Sequence, residues 1–462
     1  MSTRPDAAVR PGLTDRQRAA FVRQAARFGH AAADVLTGEV VHSHPLIASV
    51  ADGRSLLPVT AAQRARRQAV FFSPPIALRR SIGQGVHDRL EAAVFAAGEI
   101  DLGDEAGAIP HLPFPTRATS VLRRVVPAGE CWDLSVRGAE FGLDDLDDLL
   151  VLVNVGELVL EPGAKVVVQG NLLVLVVQRL VLGSESRTVD PDPDAFHLGI
   201  LPTPFSVDPR RDRVRAPDGR PGIDGRPGAD GVATRTTPTY VGPRLAEPVR
   251  PGAADGRAGT DGSDGTDAAP GASGGPSKLA DITISDIVGE LVVHTGAGRG
   301  LGGGAGGDGG HGGAGGAGAP AVTAVGQQVP AGRGGDGGDG ADGGRGGRGG
   351  GGGISSNVFL TVRPDQVDRV RVHAVPAPGG RGGPGGLGGR SGPGGQGGRG
   401  GPGDRAGSAR KGGADPGRDS AAGASQHDGR DGTPGRAGTP GADGRSRPAP
   451  PTYVNEEPWR NT

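Results

Sequence analysis

The chain has 462 residues and a formal net charge of −1, with only 3% aromatic residues but 90 glycines and 40 prolines. The balanced charge excludes a protein that binds polyanions through its overall charge, and the few aromatics argue against a large ordinary core beyond about the first 210 residues. The single cysteine, Cys131, excludes an intrachain disulfide framework and a cysteine-based zinc site, and we expect it to be a small buried apolar residue.

Residues 1–115 predict an α-helical region. A Thr-x-x-Gln capping box at 14–17 opens a helix that runs to about residue 38, and the same box at 60–63 starts a shorter one. A third helix is predicted over about 78–97, where apolar residues recur at helical spacing.

Residues 116–210 predict a β-solenoid or a β-sandwich. Short β-rich runs are separated there by glycines at intervals of about eight residues. The pattern returns further along the chain, so we interpret 171–183, 281–294 and 357–373 as successive coils of one stack. The solenoid would thus continue at 278–296 and 354–376, with His294 and His373 in one column.

Glycine recurs at every third position between and after these coils. The clearest case is 297–353, where two arms of x-Gly-Gly text, equal in length, flank a short apolar tip at 319–331. A period of three is neither helical nor strand-like and matches polyproline II. We therefore predict three antiparallel polyproline II hairpins, at 216–277, 297–353 and 377–447, followed by a C-terminal tail at 448–462. The alternative is a disordered glycine linker.

The triplets at 219–231 and 429–444 resemble collagen, and the arrangement as a whole is similar to the glycine-rich bundles of springtail antifreeze proteins and phage tail-fibre adhesins. This resemblance rests on triplets alone. It implies that one chain folds back on itself and, from the adhesins, that loops at the far end bind a receptor. The expected fold class is mixed, with an N-terminal α-helical region, a β-solenoid or β-sandwich middle and a polyproline II bundle of three hairpins.

Metal and catalytic chemistry have little support in the sequence. His42 and His44 are two residues apart, yet no third ligand is placed near them, and the His294–His373 column likewise lacks a carboxylate. The acidic clusters suit solvated turns better than calcium sites. These clusters are 144–148 and Asp190, Asp192 and Asp194. No phosphate-loop motif is present. We therefore predict a protein that is not an enzyme and has no catalytic residue, metal site or cofactor. A polysaccharide-acting β-helix enzyme is the second alternative.

Arginine-glycine-glycine repeats raise RNA binding as the first alternative function. They occur at Arg333, Arg345, Arg348, Arg381 and Arg399. Against it, these arms contain no aromatic residue on which a base could stack, and aspartates offset the arginines. Nucleic acid is therefore the less favoured partner.

The favoured function is a non-enzymatic structural or interaction protein that displays loops for surface or receptor recognition or for assembly. The predicted binding residues at the loop tips are Tyr240, Arg244, Gln327, Gln328, Arg410 and Lys411. The partner would be a protein or glycan surface receptor, or other copies in a larger particle or fibre. The string Pro-Thr-Tyr-Val occurs at 238–241 and 451–454, which predicts that the tail reaches the same end as the first tip.

No targeting or membrane segment is evident. The first 16 residues are polar and lack the apolar core of a Sec signal peptide. The most apolar stretch, 149–182, is broken by polar and charged residues, so we expect no membrane span. A surface or particle-associated location, reached by an unidentified route, suits a rigid repeat, and a cytoplasmic location is the alternative.

Overall fold

A computed structural model describes residues 12–72, 94–95, 112–142, 149–183, 195–204, 216–400 and 425–459. The helices of the described ranges include α1 (Asp15–Arg27), α2 (Ala32–Val35), α3 (Val50–Leu56) and α4 (Ala61–Phe72), and 3₁₀ helices cover Gly138–Phe141 and Pro364–Arg369. The predicted capping boxes are confirmed, because Thr14 and Thr60 each exchange hydrogen bonds with the glutamine three residues on. The predicted third helix, 78–97, lies outside the described residues except for Val94 and Phe95.

The strands make up most of the regular structure. They are β1 (Val41–Ser43), β2 (Leu46–Ile47), β3 (Phe114–Val126), β4 (Cys131–Asp133), β5 (Leu150–Leu160), β6 (Lys165–Gln169), β7 (Leu172–Leu182), β8 (Leu198–Leu201), β9 (Thr236–Thr239), β10 (Gly242–Leu245), β11 (Ala280–Ile284), β12 (Ile287–Val288), β13 (Leu291–Gly296), β14 (Val322–Ala324), β15 (Gln327–Val329), β16 (Val358–Val362), β17 (Val370–Val375), β18 (Thr452–Val454) and β19 (Glu457–Pro458).

Two sheets contain fifteen of these nineteen strands. The larger sheet has ten strands in the order β1-β3-β5-β7-β11-β16-β18-β19, with β2 beside β3 and β12 beside β7. The smaller sheet has five, in the order β17-β13-β8-β6-β4. From β3 to β18 the larger sheet is parallel, and so is the whole smaller sheet. The chain passes from one sheet to the other, so successive strands of a sheet are separated by long connections.

The apolar core lies on both faces of the larger sheet. Side chains alternate across a strand, so Val151 and Val153 face the smaller sheet while Leu150 and Leu152 pack beneath the N-terminal helices with Phe28. Burial on two faces explains why β5 and β7 are almost continuously apolar. Each fully buried valine or leucine stabilises this core by about 1.5–3 kcal/mol.

Six glycine-rich segments lie side by side and contain no helix or strand: 216–231, 254–275, 298–319, 332–353, 377–400 and 425–447. Consecutive segments run antiparallel, as in the bonds from Gly307 N to Thr266 O at 3.0 Å and from Gly310 N to Ser263 O at 2.9 Å. Alternate segments run parallel, as in the bond from Gly219 N to Ala305 O at 2.7 Å. The odd-numbered segments therefore form one layer and the even-numbered segments a second.

The fold class predicted from the sequence is wrong. The regular secondary structure of the described residues is mostly sheet with few helices, the two large sheets are open, and neither a solenoid nor a bundle of three polyproline II hairpins is shown. The short N-terminal helices cover a sheet face instead of forming an α-helical region. Between successive strands of the sheets the chain leaves to form a pair of glycine-rich segments. Each segment also forms backbone hydrogen bonds with segments outside its own pair, so the hairpin is not the structural unit.

Candidate recognition site at the distal hairpins

The far ends of the glycine-rich segments carry two small antiparallel hairpins. Strands β9 and β10 join the first and second segments, and β14 and β15 join the third and fourth. At the end near the sheets, Gly353 N donates to Gly298 O at 2.8 Å. At the other end, Ala319 N donates to Ala254 O at 2.7 Å. The ladder of backbone hydrogen bonds between these points separates the hairpins from the sheets. We call the β9–β10 and β14–β15 pairs the distal hairpins.

Aspartate side chains complete this ladder along the outer face of each layer. Asp218 Oδ1 accepts from Ala305 N at 2.7 Å, and Asp224 Oδ1 accepts from His311 N at 2.8 Å. The same arrangement recurs between the fourth and sixth segments, where hydrogen bonds from the amide and then the side chain of Thr433 lower the pKa of Asp339. The aspartates thus satisfy backbone amides that no neighbouring carbonyl reaches.

The β9–β10 hairpin presents an aromatic side chain at its turn. Thr239 pairs with Gly242, and Thr239 Oγ1 donates to Gly242 O at 2.6 Å, which leaves Tyr240 and Val241 as the turn residues. Tyr240 is fully exposed and Val241 is 63% exposed. A tyrosine ring stabilises a fold mainly when it is buried, so the exposed Tyr240 ring adds little to the stability of this chain.

The two distal hairpins are joined to each other. Val325 N donates to Pro243 O at 2.8 Å. Gly242 has a φ of +119°, and a Cβ there would lie 2.8 Å from Val325 Cγ2. Because this contact leaves no room for a side chain, glycine is needed at position 242. The loop tips of two predicted hairpins are therefore held as one surface.

A groove of about 740 Å³ adjoins the distal hairpins, between residues 245–249 and residues 327–330. Gln327 and Gln328 line it and are exposed, and Arg244 is exposed on β10. Of the six residues predicted from the sequence, the structure thus places Tyr240, Arg244 and these two glutamines at one end of the molecule. The other two, Arg410 and Lys411, lie outside the described residues.

The apolar tip at 319–331 was evident from the sequence, but neither Val325 within it nor Val241 was among the predicted binding residues. Val241 and Val325, which is 47% exposed, occupy turn positions, and an apolar residue within a turn was the available signal. The predicted meeting of the two Pro-Thr-Tyr-Val strings is wrong. The second string belongs to β18, which pairs with β16, and the Tyr453 ring stacks on Phe359 at 5.3 Å.

The predicted histidine column is confirmed, because His294 pairs with His373 in parallel register. The Phe196 ring stacks on His294 at 5.2 Å. Elsewhere, His42 Nδ1 lies 2.9 Å from Thr119 Oγ1 and the His44 ring lies 5.3 Å from Phe141. In the described ranges no group of three or more His, Cys, Asp or Glu is placed to hold a metal ion.

Cys131 is exposed at the edge strand β4, so the prediction that it is buried is wrong. Partial desolvation and the nearby Asp133 carboxylate raise the pKa of its thiol. A raised pKa leaves little thiolate at neutral pH, which argues against a nucleophilic role. The acidic clusters at 144–148 and at 190–194 lie outside the described residues.

The comparisons with known proteins give no match to a family model, a curated protein or a solved structure. The likeness to collagen, antifreeze and adhesin sequences therefore remains a prediction from triplets. No helix in the described ranges has the length and hydropathy that crossing a bilayer requires.

Proposed function

We propose that the chain is a non-enzymatic interaction protein that uses the distal hairpins to bind a surface receptor or to assemble with other copies. The observation that carries this proposal is the fully exposed Tyr240 ring, on a hairpin fixed to its neighbour and remote from both sheets. Exposed aromatic residues on a rigid support are typical anchors of protein and glycan interfaces.

The rigidity of the support favours binding by the distal hairpins. Ordering a glycine-rich chain costs much conformational entropy. Here the backbone hydrogen bonds between the segments offset that cost in the free protein. A partner that contacts Tyr240 or Val241 would therefore not have to order the segments beneath them, and less binding energy would be lost on association.

The RNA-binding alternative has less support. In the described part of segments 332–353 and 377–400 the arginines are exposed, but no aromatic side chain accompanies them. Exposed aspartates lie among these arginines, for example Asp336, which accepts a hydrogen bond from Arg430 N at 2.8 Å. Single-stranded nucleic acid sites generally combine cations with stacking platforms.

The proposal is tested with the labelled full-length protein on a microarray of neutral glycans, and by sedimentation velocity for self-association. The variant Tyr240→Ser/Val241→Ser removes the exposed apolar turn. The control, Ile223→Ser/Leu387→Ser, removes two side chains of the glycine-rich segments that are 78% and 68% exposed. We expect binding or self-association to be lost in the turn variant and kept in the control. Equal behaviour of all three proteins would reject the proposal.

A further inference from the structure

A second concave surface lies at the other end of the molecule, between α1 and the larger sheet. This cavity, of about 970 Å³, runs from α1 to the middle of β7 and to the ends of β11 and β16. We call it the α1 groove. None of the residues assigned to the distal hairpins contributes to it.

Two arginines of α1 give the α1 groove a positive wall. Arg16 and Arg23 are exposed, and neither forms an ion pair within the described residues. Being seven residues apart on a helix, they share one face at about 10 Å separation along the axis. Two cations at that spacing fit a ligand that carries more than one negative group.

The charges at the floor of the α1 groove are already compensated. Arg179 Nη1 lies 3.5 Å from Glu157 Oε1 and also donates to Gly12 O at 2.7 Å. Arg363 binds Asp365 through two hydrogen bonds, of 2.7 and 3.0 Å. Asp286 also lines the groove and lies 4.0 Å from Arg179 Nε and 3.9 Å from Arg363 Nη1. The carboxylates at the floor thus offset Arg179 and Arg363, and the net positive charge offered to a ligand comes from Arg16 and Arg23.

Hydroxyl and amide groups form much of the remaining wall, beside the apolar Ala20, Ile284 and Val362. Thr283 and Thr361 are partners in the parallel register of β11 and β16, and Ser285 Oγ donates to Gln178 Oε1 at 3.2 Å. Among the described residues that line the groove there is no aromatic side chain. Nucleobases would find no stacking surface there, whereas the hydroxyl groups of a saccharide would find hydrogen-bond partners.

We propose that the α1 groove binds an acidic oligosaccharide. Arg16 and Arg23 contact its sulfate or carboxylate groups through charge-assisted hydrogen bonds, and Thr283, Ser285 and Thr361 contact its ring hydroxyls. The site is local, which agrees with a chain whose overall charge is close to zero. It does not depend on the distal hairpins, so either site can fail without the other.

The test measures binding of the full-length protein to a fluorescent heparin-derived hexasaccharide and to a fluorescent polygalacturonate hexasaccharide by anisotropy. The test variant is Arg16→Gln/Arg23→Gln. The control, Arg18→Gln/Arg66→Gln, removes the same charge from exposed positions on α1 and α4 that do not line the groove. Thermal unfolding of each protein checks that the fold is kept.

We expect at least one acidic hexasaccharide to bind, with a Kd that rises at least tenfold in the test variant and less than twofold in the control. Equal weakening in both variants would show non-specific attraction and overturn the proposal. Absence of binding to either hexasaccharide, equal binding of a neutral dextran hexasaccharide, or tighter binding of single-stranded DNA would overturn it as well.

Discussion

Arg67 and Asp281 form a bidentate ion pair in the interior of the protein, with Nη1 2.9 Å from Oδ2 and Nη2 3.1 Å from Oδ1. Arg67 lies on α4 and Asp281 on β11, and both side chains are almost completely buried. Glu456 Oε1 lies 3.6 Å from the same guanidinium group, which also sits 4.4 Å from the centre of the Phe359 ring. This cluster ties the N-terminal helices, the central strands and the C-terminal tail together.

Removing one partner of this pair should be costly. We expect Asp281→Asn to lower the free energy of unfolding by about 3–5 kcal/mol, because it leaves the Arg67 charge buried without full compensation. Denaturant unfolding followed by circular dichroism measures the change. The control is Arg117→Gln, which breaks a partly exposed pair with Glu140 and should cost less than about 1 kcal/mol. Similar losses in both variants would contradict the assigned role of the buried pair.

Two adjacent glycines should respond differently to a methyl group. A Cβ at Gly350 would lie 1.9 Å from Ala272 O, whereas a Cβ at Gly351 would have no neighbour closer than 3.7 Å. We expect Gly350→Ala to destabilise the glycine-rich layers by about 3 kcal/mol, the upper part of the usual range for overpacking, and Gly351→Ala to be nearly neutral. Amide hydrogen exchange at Gly380, which donates to Gly350 O, measures the difference. Equal protection in both variants would show that the layers do not require this close approach.

Acid should weaken the hydrogen bond between Thr433 N and Asp339 Oδ1, which joins the fourth and sixth segments. Hydrogen bonds from the Thr433 amide and side chain hold the pKa of Asp339 below its usual range. A lowered pKa in the folded state means that this contribution to stability is complete above the ordinary aspartate pKa of about 3.9 and is lost as pH falls through the lower folded value. We expect Thr433 amide exchange, corrected for intrinsic rates, to accelerate across that window. In Asp339→Asn, which keeps the acceptor oxygen, the acceleration should disappear.

His30 should make the N-terminal helices sensitive to a milder fall in pH. Burial, and then the nearby His42, lower the pKa of His30, whose Nδ1 and Nε2 each lie 2.8 Å from a serine hydroxyl, of Ser120 and Ser43 respectively. Ser43 Oγ donates to Phe28 O, so it accepts a hydrogen bond from Nε2–H, and neutral Nδ1 accepts from Ser120 Oγ. Protonation of His30 puts a hydrogen on Nδ1, so that this nitrogen can no longer accept from the Ser120 hydroxyl.

Because the folded pKa of His30 is lowered, its stabilising effect is present above about pH 6.5 and is lost as pH falls below that value towards the folded pKa. The melting temperature of the wild type should therefore fall between pH 8 and pH 5 by more than that of His30→Asn. The pKa of His42 is lowered too, chiefly by burial, so His42→Asn is measured in parallel to separate the two contributions. An unchanged slope in both variants would exclude His30 and His42 as the source.

The contact between the distal hairpins should depend on Gly242. We expect Gly242→Ala to break the hydrogen bond from Val325 N to Pro243 O, because the new Cβ meets Val325 and the φ of +119° is unfavourable for alanine. The Val325 amide should then exchange at least tenfold faster. The amide of Gly310, in the middle of the third segment, should be unaffected. Faster exchange at both amides would mean that the hairpins and the ladder unfold together.

Local rules predicted local features of this protein well. Thr14 and Thr60 cap their helices as expected, because a capping box involves residues only three positions apart. The repeated apolar stretches also predicted the pairing of His294 with His373, since parallel strands of similar sequence stack in register when the same positions must be buried. The candidate residues Tyr240 and Gln327 were placed on tips by the breaks in the glycine pattern alone.

Features that depend on distant residues were predicted poorly. The fold class was wrong because periodicity does not say which segments become neighbours or whether a sheet closes. The stretches on either side of Gly156 form one strand, β5, since both its edges are paired by β3 and β7. The C-terminal tail joins β16 at the sheets, a position decided by the packing of Tyr453 on Phe359.

The sequence by itself determined where α1 and α4 start, which runs are apolar and where glycine leaves room for a neighbouring backbone, since each follows from residues close together in the chain. Only the tertiary structure decided the two-layer order of the glycine-rich segments, the union of the distal hairpins and the position of Arg16 and Arg23 over the α1 groove. Those arrangements depend on hydrogen bonds and contacts between residues that lie tens to hundreds of positions apart, as Arg67 and Asp281 do at a separation of 214.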